Sequence, residues 1–119
     1  MINNTDKFVI YHNPRCSKSR EALALMQQRG IEPRIVEYLK TPLTQTELRE
    51  VIKKLGIKPE GLLRKGENVF MEKFSDRTLS DEEWIVMMVD NPVLIERPIV
   101  IHRNRAVIGR PPERLIELF

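Results

Sequence analysis

The sequence predicts an α/β protein with a mixed four-stranded sheet that is flanked by helices and carries a helical insertion. Three observations indicate this class. A strand, a helix and a second strand follow one another within the first 40 residues, a wholly helical stretch covers about residues 58–92, and a β-hairpin then precedes a short C-terminal helix. A length of 119 residues with 41% hydrophobic content suits one domain, residues 1–119, with its own core.

The N-terminal elements form a β-α-β arrangement. Phe8–Tyr11 is a β-branched and aromatic run that ends at a proline turn, as expected of a buried strand. A helix follows, in which Ser17 or Ser19 is expected to cap the first turn and Gly30 to end the last one. Ile35–Leu39 is the second strand, and the helix between the two strands predicts that they pair in parallel.

The central part of the chain is predicted to be helical because it contains two capping boxes. Thr44 with Glu47 and Ser80 with Glu83 each place a hydroxyl residue three positions before a glutamate, just ahead of an apolar run. Between the two boxes, Lys58–Lys65 is expected to form one or two helical turns that begin at a proline.

The last third of the chain returns to β-structure. Ile99–His102 and Ala106–Ile108 flank a tight polar turn and are expected to form a hairpin. Pro111-Pro112 then begins a short C-terminal helix. The complete order of elements is that of thioredoxin-like domains.

Composition and charge exclude several classes of protein. The net charge is +3 and no run of five basic residues occurs, which disfavours a nucleic-acid binder. The longest apolar stretch, Trp84–Val89, is far shorter than the ~20 residues that span a bilayer, and residues 1–6 lack the features of a signal peptide. We therefore expect a cytoplasmic protein without a membrane segment. Because Cys16 is the single cysteine, an internal disulfide and a multi-cysteine metal site are excluded, and no metal is expected.

Cys16 lies where the first strand gives way to a helix, in a setting that favours a reactive thiol over a buried inert one. The amides of a helix N-terminus and nearby positive charge both stabilise a thiolate, and the hydroxyls of Ser17 and Ser19 can donate hydrogen bonds to the sulfur. Four potentially cationic side chains lie within nine residues of one another: His12, Arg15, Lys18 and Arg20. Three further arginines stand at the ends of predicted elements, although their spacing does not show that they converge: Arg64, Arg97 and Arg110.

These residues resemble a known family. The string Tyr11–Arg20, together with Leu62–Lys65, Arg97–Val100 and Gly109–Glu113, is similar to the ArsC family of glutaredoxin-dependent arsenate reductases in the thioredoxin-like superfamily. The short chain resembles the shorter branch of that family. The resemblance implies that Cys16 is the nucleophile.

The resemblance also implies roles for other residues. Three arginines grip the oxyanion, namely Arg64, Arg97 and Arg110. His12 and Ser19 lower the pKa of the thiol, and the Arg97-Pro98 peptide is cis. The loop contributes three further candidates for substrate binding, namely Asn13, Ser17 and Arg20.

The implied reaction is the reduction of As(V) in arsenate to As(III). The Cys16 thiolate attacks arsenic, glutathione is the co-substrate that reduces it, and glutaredoxin resolves the mixed disulfide, since the chain has no second thiol. No bound cofactor and a monomer are expected.

Two alternatives remain open. Spx-like transcriptional regulators share this fold and bind RNA polymerase, but they typically carry a CxxC pair where this chain has Cys16 and Ser19. A general glutathione-dependent thiol oxidoreductase would use the same thiolate without arsenate.

Overall fold

The computed structural model describes residues 7–119. Residues 1–6, on which the expected lack of a signal peptide rests, lie outside the described residues. The chain divides into two compact units, of which one contains the described residues up to Thr41 together with Arg97–Phe119 and the other contains Pro42–Glu96. A single domain with its insertion near residues 58–92 stays a prediction.

The first unit is built on a mixed four-stranded sheet. Its strands are β1 (Val9–His12), β2 (Arg34–Glu37), β3 (Ile99–His102) and β4 (Arg105–Ile108), in the order β2-β1-β3-β4. β1 and β2 are parallel, whereas β3 is antiparallel to both β1 and β4. The predicted sheet, its parallel pair and its hairpin are therefore confirmed.

β2 is shorter than the sequence predicts. It ends at Glu37, because the next residues form a turn in which the N–H groups of Lys40 and Thr41 donate to the Glu37 carbonyl at 3.0 and 2.9 Å. Leu39 consequently lies in this turn and is exposed.

Helix α1 (Ser17–Gln28) ends as the sequence predicts, two residues before a glycine in the left-handed region. Gly30 has a φ of 76°, and its N–H donates to the Gln27 carbonyl, while the N–H of Ile31 donates to the Met26 carbonyl at 2.9 Å. This pair of bonds is a Schellman motif, which favours glycine because other residues are disfavoured at positive φ.

The core of the first unit lies between the sheet, α1 and the C-terminal segment. Pro112–Leu118 forms a 3-10 helix where the sequence predicts a short helix. Its apolar residues pack with those of α1 and of three strands in one buried cluster: Ile10, Ala22, Met26, Val100, Val107, Leu115 and Leu118. This packing fixes α1, and with it the loop that precedes α1, against the sheet.

The second unit is helical. It contains α2 (Gln45–Leu55), α3 (Asn68–Lys73) and α4 (Asp81–Asp90), with 3-10 helices at Pro59–Leu62 and Pro92–Leu94. The expected proline-initiated helix is a single 3-10 turn, and α3 lies within the predicted helical stretch of about residues 58–92, although no motif in the sequence marks its bounds. Within residues 7–119, no helix combines the length and the apolar character that crossing a membrane requires.

Both predicted capping boxes are present. The Thr44 hydroxyl accepts a hydrogen bond from the Glu47 N–H at 3.1 Å, and the Ser80 hydroxyl accepts one from the Glu83 N–H at 3.2 Å. Each glutamate carboxylate accepts the reciprocal bond from the N–H of its cap residue. These bonds satisfy donors that the first helical turn leaves unpaired.

We predict that Leu115→Ala lowers the free energy of unfolding by about 2–5 kcal/mol, because the removed atoms leave a cavity in the core of the first unit. Leu115 is fully buried in this cluster, whereas its neighbour Ile116 is 45% exposed. Urea unfolding followed by circular dichroism measures the difference. Ile116→Ala is the matched control, and equal losses for the two variants would contradict this packing.

Candidate active site

One end of the sheet collects three of the predicted site residues. β1 runs toward Cys16, and β3 is antiparallel to β1, so Arg97, which stands just before β3, lies at the same end of the sheet. β4 runs back to this end, because its last residue pairs with Ile99, and the chain then continues to Arg110. The topology of the sheet thus brings Cys16, Arg97 and Arg110 to one edge.

The two prolines that follow these arginines have cis peptide bonds. The Arg97-Pro98 bond is cis, as the family resemblance implies, and Arg110-Pro111 is also cis, which was not expected. Between them, the Gly109 N–H donates to the Pro98 carbonyl at 2.9 Å. A Cβ at Gly109 would lie 3.2 Å from Pro98 and 3.3 Å from Leu115, so the close approach of these segments favours glycine.

Cys16 is the N-cap residue of α1. Its backbone is extended (φ −94°, ψ 122°) and α1 begins at the next residue, Ser17, which is exposed. The expectation that Ser17 or Ser19 caps the helix is therefore wrong, since both lie inside it and no side chain makes a conventional capping bond. The thiol itself thus occupies the position from which a cap faces the unpaired amides of the first turn.

Hydrogen bonds within the loop hold Cys16 in this position. The Cys16 N–H donates to the Asn13 carbonyl at 3.0 Å, and the Asn13 side chain accepts a bond from the Arg15 N–H at 3.0 Å. The Arg20 guanidinium donates to the Pro14 carbonyl at 2.9 Å. Asn13 and Arg20 therefore stabilise the loop, and their part in substrate binding stays a prediction.

The surroundings of Cys16 lower the pKa of its thiol. Partial burial acts in the opposite direction and raises the pKa, but the backbone N–H groups of Ser19 and Lys18, together with the positive charge of Arg97 and a hydrogen bond from it, outweigh that effect. These groups favour the thiolate because each interacts more strongly with the ionised sulfur than with the neutral one.

The cation that acts on the thiolate comes from a distant part of the sequence. We expected the basic residues next to Cys16 to supply this charge. Instead, Lys18 faces Glu21 at 3.6 Å and acts through its backbone N–H, whereas Arg97 supplies the positive charge at the sulfur. Only the antiparallel pairing of β1 and β3 makes this contact possible.

His12 and Ser19 form a buried hydrogen-bonded pair behind the loop. The His12 Nδ1 lies 2.6 Å from the Ser19 hydroxyl oxygen, which also accepts a bond from the Asn13 N–H at 3.0 Å. The hydroxyl that we expected to donate to the sulfur is thus directed to His12. Ser19 stabilises the thiolate through its backbone N–H instead.

His12 is held in its uncharged form. Burial lowers the pKa of His12 below its ordinary value, Glu37 raises it in part, and the charge of Arg20 lowers it further. A neutral imidazole can accept the Ser19 hydroxyl proton at Nδ1. His12 therefore positions Ser19 and the loop. It adds no positive charge at neutral pH, although the sequence predicts it as one of four potentially cationic side chains near Cys16.

Arg64 belongs to the second unit. Its side chain is 19% exposed, forms an ion pair with Glu67 and donates to the Val93 carbonyl at 3.2 Å. The expected helix over residues 58–65 would include Arg64. The observed 3-10 helix, Pro59–Leu62, ends before this residue. The role of Arg64 in gripping an oxyanion stays a prediction.

A cavity of about 220 Å³ opens beside the Cys16 loop. One wall consists of His12, at the end of β1, and loop residues 13–15, and the other consists of Glu37, at the end of β2, with Leu39 and Lys40 of the following turn. No local motif in the sequence indicates a role for Glu37 or Lys40. The parallel pairing of β1 with β2 places Glu37 beside His12, and this pairing brings the two walls together.

The comparisons with known proteins agree on one family. The chain matches the model of the ArsC family over residues 11–118. It is 48% identical over 116 residues to the protein YfgD of Escherichia coli (strain K12), which covers 96% of this chain and 98% of that protein. It is 43% identical over 112 residues to an arsenate reductase of Haemophilus influenzae, with 92% and 97% coverage.

A solved structure gives the same result. The arsenate reductase from Vibrio cholerae superposes with a TM-score of 0.91 at 42% sequence identity, covering 98% of this chain and 100% of that chain. The thioredoxin-like fold that the order of elements predicts is thereby confirmed.

We predict that Cys16 is alkylated by iodoacetamide with a pH midpoint below that of free cysteine measured alongside. Because the thiolate is the nucleophile, the rate of alkylation should fall only when the pH drops through the lowered pKa of Cys16. Arg97→Gln should raise the midpoint, because the variant loses the positive charge and its hydrogen bond. A midpoint equal to that of free cysteine, or one unchanged in Arg97→Gln, would show that these groups do not stabilise the thiolate.

We also predict that burial of neutral His12 makes folding less stable in mild acid. Because the pKa of His12 is lower in the folded than in the unfolded chain, the unfolded state binds the proton first as the pH falls below about 6.5. The free energy of unfolding should therefore decrease between pH 7.5 and 5.5. In His12→Asn this decrease should be smaller, and an identical decrease in both proteins contradicts the assignment.

Proposed function

Since this chain belongs to the ArsC family, we propose that it is an oxidoreductase that reduces arsenate to arsenite, with Cys16 as the nucleophile and glutathione and glutaredoxin as reductants. The proteins that it resembles in Haemophilus influenzae and Vibrio cholerae carry the name arsenate reductase. The observation that carries the proposal is a thiolate stabilised by the first-turn amides of α1 and by Arg97, at the sheet end that also holds Arg110. We expect the reaction in the cytoplasm, where the glutathione pool keeps thiols reduced.

The arginines suit a tetrahedral oxyanion. A guanidinium group presents several N–H donors in one plane and can bind two oxygens of the anion at once. We assign this role to Arg97 and Arg110, which lie in the first unit. The groups that stabilise the thiolate also favour an anion beside it. One environment can therefore both keep the sulfur ionised and bind the oxyanion.

The first step joins substrate and protein. The Cys16 thiolate attacks arsenic, a sulfur–arsenic bond forms, and one arsenate oxygen leaves as water after it takes up protons. The arginines balance the negative charge on the remaining oxygens. His12 and Ser19 are positioning residues in this step, because their hydrogen bond holds the loop that presents the sulfur.

The second step transfers electrons. A glutathione thiolate attacks the Cys16 sulfur, so a disulfide bond forms, the sulfur–arsenic bond breaks, and its electron pair stays on arsenic, which becomes As(III) and leaves as arsenite. The single cysteine cannot displace glutathione from within the chain. A glutaredoxin thiolate attacks the glutathione sulfur instead and releases the Cys16 thiolate.

We predict arsenate-dependent oxidation of NADPH when the protein is combined with glutathione, glutaredoxin and glutathione reductase. Cys16→Ser should abolish the turnover, because its hydroxyl is not ionised at neutral pH. Arg110→Ala should reduce kcat/KM for arsenate by about tenfold or more, since a hydrogen bond to a charged group contributes about 1.5–3 kcal/mol.

Arg114→Ala is the matched control, because this exposed arginine lies in the C-terminal 3-10 helix and has no part in the proposed site. Arg110→Ala should retain the wild-type unfolding midpoint, and a large loss of stability would make Arg110 a structural residue. NADPH oxidation that requires this protein and an added low-molecular-weight disulfide, but is not supported by arsenate, indicates a general thiol oxidoreductase. Absence of turnover together with capture of RNA polymerase indicates an Spx-like regulator.

A further inference from the structure

The cavity beside the Cys16 loop contains charges of both signs that the proposed reaction with arsenate does not use. Glu37 and Lys40 lie on one wall, where Lys40 Nζ is 3.5 Å from a Glu37 carboxylate oxygen. The turn after β2 sets this spacing through the hydrogen bonds of residues 40 and 41 to the Glu37 carbonyl. Arg15 adds a second cation from the opposite wall.

This pair of charges is available to a ligand. The Lys40 side chain is 78% exposed and that of Glu37 is 39% exposed. Exposed ion pairs contribute only about 0.2–1 kcal/mol, so a ligand that offers both charges can replace the internal pair at little cost. A ligand with one carboxylate alone would leave Glu37 facing a like charge. The cavity therefore favours a group that carries an ammonium and a carboxylate together.

From this arrangement we infer that the cavity binds the γ-glutamyl end of glutathione, with the α-ammonium group at Glu37 and the α-carboxylate at Lys40 and Arg15. This inference rests on the proposed function for its ligand, since glutathione is the reductant proposed there. The proposed function concerns the sulfur atom that reacts, and the cavity adds a binding site for another part of the glutathione molecule.

The size and position of the cavity agree with this assignment. At about 220 Å³ it is smaller than the roughly 300–1,000 Å³ of pockets that enclose a drug-sized ligand, so it can hold one end of a tripeptide. Its wall includes Arg15, the residue directly before Cys16, whereas Cys16 itself is outside the wall. Because the γ-glutamyl group is joined to cysteine through its side chain, the length of that chain separates the thiol from the bound α-groups, as a sulfur outside the cavity requires.

The other end of glutathione fits less well. The glycine end offers a carboxylate without an ammonium group, and Glu37 would then have no partner in the ligand. Leu39 and Pro14 provide the apolar part of the wall, against which the methylene groups of a γ-glutamyl chain can pack. The cavity should therefore distinguish thiols by the presence of the γ-glutamyl group and not by the presence of glycine.

Thiol–disulfide exchange tests this selectivity without arsenate. The Cys16 thiolate attacks a symmetrical disulfide, one new sulfur–sulfur bond forms as the old one breaks, and one thiolate leaves. The second-order rate is measured by mass spectrometry of the full chain with the disulfides of glutathione, γ-glutamylcysteine and N-acetylcysteinylglycine, of which the last has no ammonium group. For each disulfide, the ratio of wild-type to variant rate cancels the intrinsic reactivity of the reagent.

For Glu37→Gln we expect rates about two- to fivefold lower with the two γ-glutamyl disulfides, the range that one exposed ion pair supplies, and an unchanged rate with N-acetylcysteinylglycine disulfide. Lys40→Gln should give the same pattern, and its highly exposed position keeps the test valid should Glu37→Gln fail to fold. Glu21→Gln is the matched control, because it removes an exposed carboxylate from the same unit outside the cavity and should change no rate.

Three results overturn the assignment: equal losses for all three disulfides, which would mean an effect on the thiolate itself; a loss confined to the disulfides that contain glycine; or no loss at all. A lack of arsenate turnover would reject the proposed substrate and leave the selectivity of exchange intact. Normal arsenate turnover with unselective exchange would reject the cavity assignment alone.

Discussion

The site depends on the stabilisation of negative charge on one sulfur atom. Partial burial of Cys16 opposes ionisation, and the amides of Ser19 and Lys18, together with the Arg97 guanidinium, overcome that cost. These donors are fixed before any substrate binds, because helix packing and strand pairing hold them in place. The same fixed donors suit a tetrahedral anion, so the thiolate and the oxyanion of the proposed reaction would share one electrostatic environment.

The order and direction of the strands make this environment possible. β1 and the parallel β2 end at the edge of the sheet where the antiparallel β3 begins and β4 ends. Segments that are far apart in the sequence therefore meet around the loop that contains Cys16. On one side this arrangement provides arginines for the oxyanion, and on the other it provides the mixed charges of Glu37 and Lys40. The proposed oxyanion and thiol sites thus lie on either side of a single loop.

Features that depend on local sequence were predictable, and features that depend on tertiary contacts were not. The capping boxes of Thr44 and Ser80 and the hairpin follow from a few neighbouring residues. In contrast, α3 begins at Asn68, and its N-cap residue Glu67 makes no capping side-chain bond, so no local signal marks the start of this helix. The direction of the Ser19 hydroxyl toward His12 depends on the burial of that histidine, which its neighbours in sequence do not reveal. Similarly, Arg97 reaches the sulfur only through strand pairing, and the family resemblance implies a role for it at the oxyanion but none at the thiolate.

A single-turnover experiment tests the central claim most directly. The protein is incubated with arsenate and a small excess of glutathione, in the absence of glutaredoxin, and the peptide that contains Cys16 is analysed by mass spectrometry. If the stabilised thiolate attacks arsenate and transfers electrons to it, Cys16 should acquire one glutathione, with one arsenite released for each adduct, only when arsenate is present. An adduct that forms equally without arsenate, or arsenite released without any change at Cys16, would contradict this account.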